Sequence, residues 1–281
     1  MKSMMVSKVV RNIFRYFFCV IVVVCIAVPL YISVMGGFKE LGQLRAAPMS
    51  IPDPFNVNQY LDLLSGARGS FWRQLGNSLI TGLGTVALVL LTGTLAGYAL
   101  ARIRFKLNGA IYKFFQLGLL FPLTVAILPL YLQLRTFGLL DRYLGVILPQ
   151  AAFQLAMMIM LLRGFIKAIP VELAEAAAID GYGHFNFLFK IVLPLSTPIL
   201  TTVGVLTLVT SWNNFFTPLL VFNDPIRYTL PMGVMDFMGE HAADWNMILA
   251  FLTLAMVPAV ILYVVGQKYI VAGLTSGAIK G

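Results

Sequence analysis

The sequence predicts an all-α, polytopic membrane protein with six transmembrane helices and both termini in the cytoplasm. Three observations carry this. Hydrophobic residues make up 59% of the 281 and charged residues only 11%, where a soluble domain carries about 25% charged. Six segments are apolar over the roughly 20 residues a helix needs to cross a bilayer: 14–34, 77–100, 110–131, 143–162, 191–221 and 246–266. Lys and Arg then fall unevenly between the connections. With the N-terminus inside, 13 lie on the cytoplasmic side and 7 outside, together the 20 present, as the positive-inside rule requires.

The first span follows Lys2, Lys8, Arg11 and Arg15. Its apolar core is longer than the about 7–15 residues of a signal peptide and no small-x-small site follows it, so it reads as an uncleaved span. Cys19 and Cys25 lie on different faces of it and read as apolar fillers. An external connection with Pro48, Pro52 and Pro54 comes next, and Tyr60–Leu64 reads as a short interfacial helix. The second span carries Gly93 and Gly97 with Ala101 continuing the small face, which suits either static packing or a contact that slides during transport. The third and fourth spans are joined outside, and a cytoplasmic loop, 163–190, leads to the fifth. That fifth segment is too long for one simple span; Pro194 and Pro198 should bend its start and Pro218 end it. Trp212, Phe215 and Phe216 would then form an aromatic cluster at the outer interface. A tail, 267–281, follows the sixth span. The chain reads as one transmembrane domain over 1–281.

Several functions are disfavoured. The net charge of +9 flanks apolar segments and is not interleaved with aromatics, so nucleic acid is not an expected partner. His184 and His241 are the only histidines, and no cysteine or carboxylate cluster frames them as a metal site. There is no phosphate-cradling G-x-x-x-x-G-K-[ST] loop and no nucleophile–base pair, so no catalytic residue is expected. Between their flanks the spans hold no Asp, Glu, Arg or Lys. An ion-coupled carrier usually keeps such groups in the membrane, although sodium can be held by carbonyls and hydroxyls alone. A neutral polar solute fits such spans better than a phosphate ester. Gln150, Gln154, Thr207, Ser211, Asn213 and Asn214 are the polar groups placed to meet one. They equally suit hydrogen bonds between helices.

The loop 163–190 is the most specific feature. Pro170 can open a helix, Glu172 suits its first turn, and Gly181 suits the left-handed residue that ends one. The result is a helix of about 10 residues, too short and too charged to cross a bilayer. Glu175-Ala176-Ala177, three residues, Gly181, nine residues, then Ile191-Val192-Leu193-Pro194 resembles the Glu-Ala-Ala loop signature of permease subunits in bacterial binding-protein-dependent ABC importers. The wider run Ile169–Pro198 resembles the carbohydrate branch, in particular the smaller permease subunit of maltose-type systems. Asn77-Ser78, Tyr98-Ala99-Leu100-Ala101-Arg102, Pro129-Leu130-Tyr131, Gly138-Leu139-Leu140, Trp212-Asn213, Pro218-Leu219 and the tail from Gly273 to Gly281 extend the likeness. Asp141-Arg142 departs from the more usual Asn-Thr.

The resemblance implies the type I ABC importer permease fold and a coupling helix at 170–181 that docks in a cleft of an ATPase subunit. Glu175, Ala176, Ala177 and Gly181 would form its core, with Glu172 and Asp180 beside them and the alanines packed against the cleft wall. The tail, through Gly273, Thr275, Gly277 and Lys280, would insert along the ATPase dimer interface. Implied partners are a second homologous permease, two ABC ATPase subunits, an extracytoplasmic solute-binding protein and the bilayer. This chain would bind no cofactor; ATP and Mg would sit on the ATPases. The implied cargo is a sugar or related polyol. An ion-coupled secondary carrier and a non-transporting structural membrane subunit are the rival readings.

Overall fold

The computed structural model describes residues 2–239 and 243–278, with side chains for residue 12 and within 14–269. Every regular element among the described residues is helical. In chain order they are α1 (Lys2–Gly36), α2 (Leu41–Ala46), α3 (Asn58–Ser65), α4 (Phe71–Arg102), α5 (Asn108–Gly118), α6 (Leu123–Thr136) and α7 (Tyr143–Ala168). There follow α8 (Glu172–Ile179), α9 (His184–Phe187), a π-helical turn (Leu188–Val192), α10 (Leu193–Leu195), α11 (Thr197–Trp212), α12 (Phe216–Val221), two 3₁₀ segments and α13 (Trp245–Ala278). Among the described residues, four helices are long and apolar enough to cross a membrane: Phe14–Gly36, Phe71–Arg102, Tyr143–Ala168 and Trp245–Tyr269. Two bent pairs raise the number to six if each is counted as one span. An all-helical chain of this kind satisfies every backbone group within its own segments, as a bilayer demands.

The bent pairs bear on two of the expected spans. Residues 110–131 are not one helix: α5 and α6 meet at 102°. Pro122 disfavours helical backbone at Phe121, and the chain turns over Leu119–Pro122 before α6 begins. The segment 191–221, expected to bend at its start through Pro194 and Pro198, is bent there. Its first residues belong to a helical stretch, His184–Leu195, that meets α11 at 76°, with Ser196 at the bend between Pro194 and Pro198. The far end closes at Trp212, earlier than Pro218. Asn214 Oδ1 accepts from the Thr217 amide at 2.9 Å and starts α12, so Pro218 sits in a first turn where no donor is lost. Trp212, expected at the interface, is buried.

The chain divides into two compact units, 1–71 with 233–257 and 72–232 with 258–281. In the first, Phe38 stacks on Phe55 and tilts against Tyr60, both at 4.4 Å between ring centres. Gly37 is required there, because an added Cβ would lie 2.8 Å from Ala250 Cα and closer still to the Tyr60 hydroxyl. Lys39 is fully buried, its ammonium donating to the Ala47 and Pro48 carbonyls at 3.0 and 2.8 Å. Charge-assisted bonds of this kind offset the desolvation of a buried cation, and burial still lowers the Lys39 pKa.

In the second unit, α4 and α7 pack closely. A Cβ on Gly97 would sit 3.0 Å from Leu162 Cβ and 3.3 Å from the Arg163 amide nitrogen, and one on Gly84 would sit 2.6 Å from Ile147. The apolar core of this unit runs through Val89, Tyr98, Leu162, Ile166, Ala177, Phe187 and Val203. The turn carrying α8 is anchored at the end of that core.

Candidate functional site

The turn between α7 and α11 is mounted on the end of α4. Helix α7 stops at Ala168, and Ile169 is extended ahead of Pro170, as a residue before proline must be. The last carbonyls of a helix lack partners within it. Here Arg102 supplies them: its Nη2 donates to Ile166 O at 2.9 Å and to Ile169 O. A cation at that end also complements the helix dipole. Arg163 Nε returns a bond to Leu100 O at 3.2 Å while its guanidinium lies 3.8 Å above the Tyr112 ring. The Tyr98 hydroxyl donates to His184 O at 3.1 Å, tying down the far side of the turn.

Helix α8 itself covers eight residues, Glu172–Ile179, so Pro170 lies just outside it. Val171 O takes the first two amides, from Ala174 at 2.8 Å and Glu175 at 3.1 Å. At the other end Gly181 adopts φ +79°. The Gly181 amide bonds Ala178 O at 3.1 Å and the Tyr182 amide bonds Ala177 O at 2.8 Å, the paired bonds of a Schellman closure. Nothing lies within 4 Å of a Cβ placed on Gly181. Backbone conformation, not crowding, makes glycine necessary.

One expectation about this helix is corrected. Ala177 is only 4% exposed and belongs to the protein's own core, with Ala174 packed beside it. Residues three apart share a helix face, so these two hold α8 to the protein, with Ala177 buried and Ala174 half-buried. Glu172, Leu173, Glu175, Ala176, Ile179, Asp180 and Gly181 are exposed, Ile179 at 87%. Phe185 and Phe189 are exposed just beyond. The turn therefore offers a rigidly backed surface of mixed apolar and acidic character, and it can seat against a cleft with an apolar floor and basic rim.

The polar residues of the spans separate into two groups. Gln150 is 3% exposed, and its Oε1 accepts from Thr85 Oγ1 at 3.3 Å and from Ser211 Oγ. This joins α4, α7 and α11. Thr207 is fully buried and Gln154 half-buried, one turn further along the same two helices; Thr207 Oγ1 and Gln154 Oε1 have no hydrogen-bond partner. Asn213 is exposed with its amide on Val209 O, and Asn214 caps α12. Gln150 and Ser211 thus make the bonds of helix packing, and of these six Asn213 alone is exposed. Gly273, Thr275 and Gly277 fall on the last turns of α13, where side chains lie outside the described residues; Lys280 and His241 lie outside them entirely.

Sequence reasoning missed Arg102 and Tyr98 as the anchors of the turn. Their signal is present, an aromatic and a cation one helical turn apart at the end of a span, but sequence alone uses the pair only for orientation and for the family likeness.

Residues 90–276 match the family of binding-protein-dependent transport system inner membrane components. A putative ABC transporter permease of Caldicellulosiruptor sp. is 35% identical, covering 90% of this chain and 92% of its own. The arabinooligosaccharide transport system permease of Halalkalibacterium halodurans is 32% identical over 90% and 91%. The diacetylchitobiose uptake system permease of Streptomyces coelicolor is 30% identical over 92% and 85%. In fold, the chain is similar to a bacterial ABC transporter involved in the import of the acidic polysaccharide alginate, with a TM-score of 0.81, 21% identity, and coverage of 94% of this chain and 97% of that one. With two thirds of its length inside the family's own boundaries, the chain belongs to the inner-membrane permeases of binding-protein-dependent ABC importers.

Proposed function

We propose that this permease carries a sugar or related polyol delivered by an extracytoplasmic solute-binding protein. It would do so beside a second, homologous permease and two ABC ATPase subunits that hold the ATP and Mg. The whole chain serves as one membrane domain with both termini cytoplasmic. ATP binding closes the ATPases, which draws the α8 turns together and rocks the spans from inward- to outward-facing. Glu172, Glu175, Ala176, Asp180 and Gly181 form the docking face, while Ala177 fixes the helix to its mount. The tail at Gly273, Thr275, Gly277 and Lys280 follows along the ATPase interface.

The observation that carries the coupling role is the exposed face of α8, backed by Arg102 and closed by a left-handed glycine. Leu173, Ile179, Phe185 and Phe189 are exposed on and beside this helix together with three carboxylates, and an exposed apolar group of that size supports a contact surface. The cargo reading rests on the relatives, two of which are named for oligosaccharide or chitobiose uptake, and on spans without fixed charge. Asn213 is the best placed pathway residue.

The test is a mild-detergent pull-down of the tagged chain, followed by ATPase assay of the recovered complex with binding protein and candidate sugars. Recovery of a second permease and an ATPase, lost in Glu175→Lys, supports the reading. Uptake that survives ATP depletion but collapses with an ionophore would instead establish an ion-coupled carrier. No stimulation by any solute in the complete complex would leave a structural subunit.

A further inference from the structure

The end of α4 and the turn carrying α8 enclose a cavity of about 500 Å³ that the coupling role does not use. Arg102, Arg104, Asn108 and His184 line its polar side, and Phe105 and Val171 its apolar side. No carboxylate lines it, and neither arginine takes part in an ion pair among the described residues. Arg102 directs Nη2 at the carbonyls of the turn, but its Nε is buried without a hydrogen-bond partner. Arg104 is exposed at the mouth, and the neighbouring Leu107 is 63% exposed.

Depth decides the ligand class. Helix α4 is apolar enough to cross the bilayer and ends at Arg102, so the cavity lies where hydrocarbon gives way to headgroups. On the positive-inside count this is the cytoplasmic leaflet, whose anionic lipids draw basic pockets at helix ends. We propose that the cavity binds the phosphate of an anionic phospholipid headgroup, with Arg104 and Arg102 facing the phosphate and Phe105 and Val171 against the first acyl carbons. The chemistry required is a phosphodiester monoanion with an apolar extension and no headgroup cation beside it, since two arginines line the cavity. A free soluble phosphate shares the anionic part of that description.

The experiment uses the full chain in its assembled complex, purified in mild detergent from nanodiscs of phosphatidylcholine with and without phosphatidylglycerol. Retained lipid is identified by native mass spectrometry. The wild type retains phosphatidylglycerol in preference to phosphatidylcholine, and Arg104→Gln weakens that retention about fivefold, the effect expected for one surface cation on an anionic lipid. Lys106→Gln, an exposed cation off the cavity lining, leaves it unchanged. Equal retention in Arg104→Gln, or equal retention of the two lipids, overturns the proposal. So does inorganic phosphate protecting the delipidated complex against heat as well as phosphatidylglycerol does, which would assign the cavity to a soluble anion. Lipid held by the isolated chain but absent from the complex would show that an acidic segment of a partner fills the cavity, and would overturn it too.

Discussion

Arg102 and Asp141 solve the same problem at different turns with opposite charges. Arg102 donates to two carbonyls at the end of α7, Ile166 O, which also accepts the Ile169 amide, and Ile169 O. Asp141 accepts from amides beyond α12: its Oδ1 takes the Asn223 and Asp224 N–H groups, the latter at 3.0 Å, and its Oδ2 takes Asn223 Nδ2 at 3.3 Å. The Asp141 amide in turn donates to Val221 O at 2.9 Å. A cation meets a helix C-terminus, and a carboxylate meets the amides that open the Pro225–Arg227 3₁₀ turn, each on the side the backbone dipole favours. The difference lies in what is left outside. Asp141 ties its own loop to the connection after α12, whereas Arg102 holds a turn whose outer face stays exposed. One clamp ends a surface and the other presents one.

The largest effect is expected at Arg102. Arg102→Ala removes two charge-assisted bonds to helix-terminal carbonyls, each worth about 1.5–3 kcal/mol. Thermal unfolding should register a loss of several degrees, and co-purification of the ATPase should fall with it. Both bonds leave one nitrogen, Nη2, and a lysine ammonium also carries several donors but on a different reach, so Arg102→Lys should retain an intermediate share. A stable Arg102→Ala protein that still recovers its ATPase would show that α8 does not depend on this mount.

Asp141 should follow, and here two substitutions separate charge from geometry. Asp141→Ala leaves two amides without their acceptor and places alanine at φ +54°, a region that disfavours it; a cost of about 2–3 kcal/mol follows. Asp141→Asn keeps an oxygen for both amides and tolerates left-handed backbone, so it should lose less than half as much. Burial opposes the Asp141 charge, but hydrogen bonds from Asp224 and Asn223, with Arg227 nearby, hold its pKa below the usual carboxylate value of 3.8. A depressed folded pKa means stability that is complete above 3.8 and lost as the pH falls through the folded value. The stability gap between wild type and Asp141→Asn should therefore narrow below pH 3.8. A gap that stays constant into acid would remove the charge from the account.

Gly181 ranks third. With no atom within 4 Å of an added Cβ, Gly181→Ala pays only the left-handed penalty, about 1–2 kcal/mol, and should keep its ATPase. Gly181→Val adds the strain of a branched Cβ and should uncouple ATP turnover from transport. Normal uptake with normal ATPase association in that variant would dissociate the Schellman closure from coupling.

These sites also mark how far the sequence could be read. Pro170, Glu172 and Gly181 carry their own conformational preferences, so a short helix with a left-handed end is legible from residue type alone. Which alanine faces inward is not. Ala176 and Ala177 are chemically identical, and only the core formed by distant Val89, Ile166 and Phe187 decides that the second is buried. The break in the third expected span was available at Phe121-Pro122, but a run of apolar residues hides it when hydropathy is averaged. Trp212 shows the converse error, because an aromatic near a span end suits both an interfacial belt and a packed interior. Arg102 was legible as a charge but not as an anchor, since its carbonyl partners lie 64 and 67 residues away.

The smallest effect should fall at Thr207, where the two readings of the polar spans part company. Its hydroxyl is fully buried with no hydrogen-bond partner, while Gln150 and Ser211, one turn away, bond each other. Thr207→Val preserves shape and removes a buried polar group that contributes no bond, so stability should hold or rise by up to about 1 kcal/mol. Transport should be unchanged, because packing has no use for that oxygen. Gln150→Leu, by contrast, strands Ser211 and should cost about 1 kcal/mol or more. If Thr207→Val folds normally yet loses uptake, the hydroxyl must meet solute in another state of the transport cycle. The α7–α11 seam would then belong to the pathway and not to the frame around it.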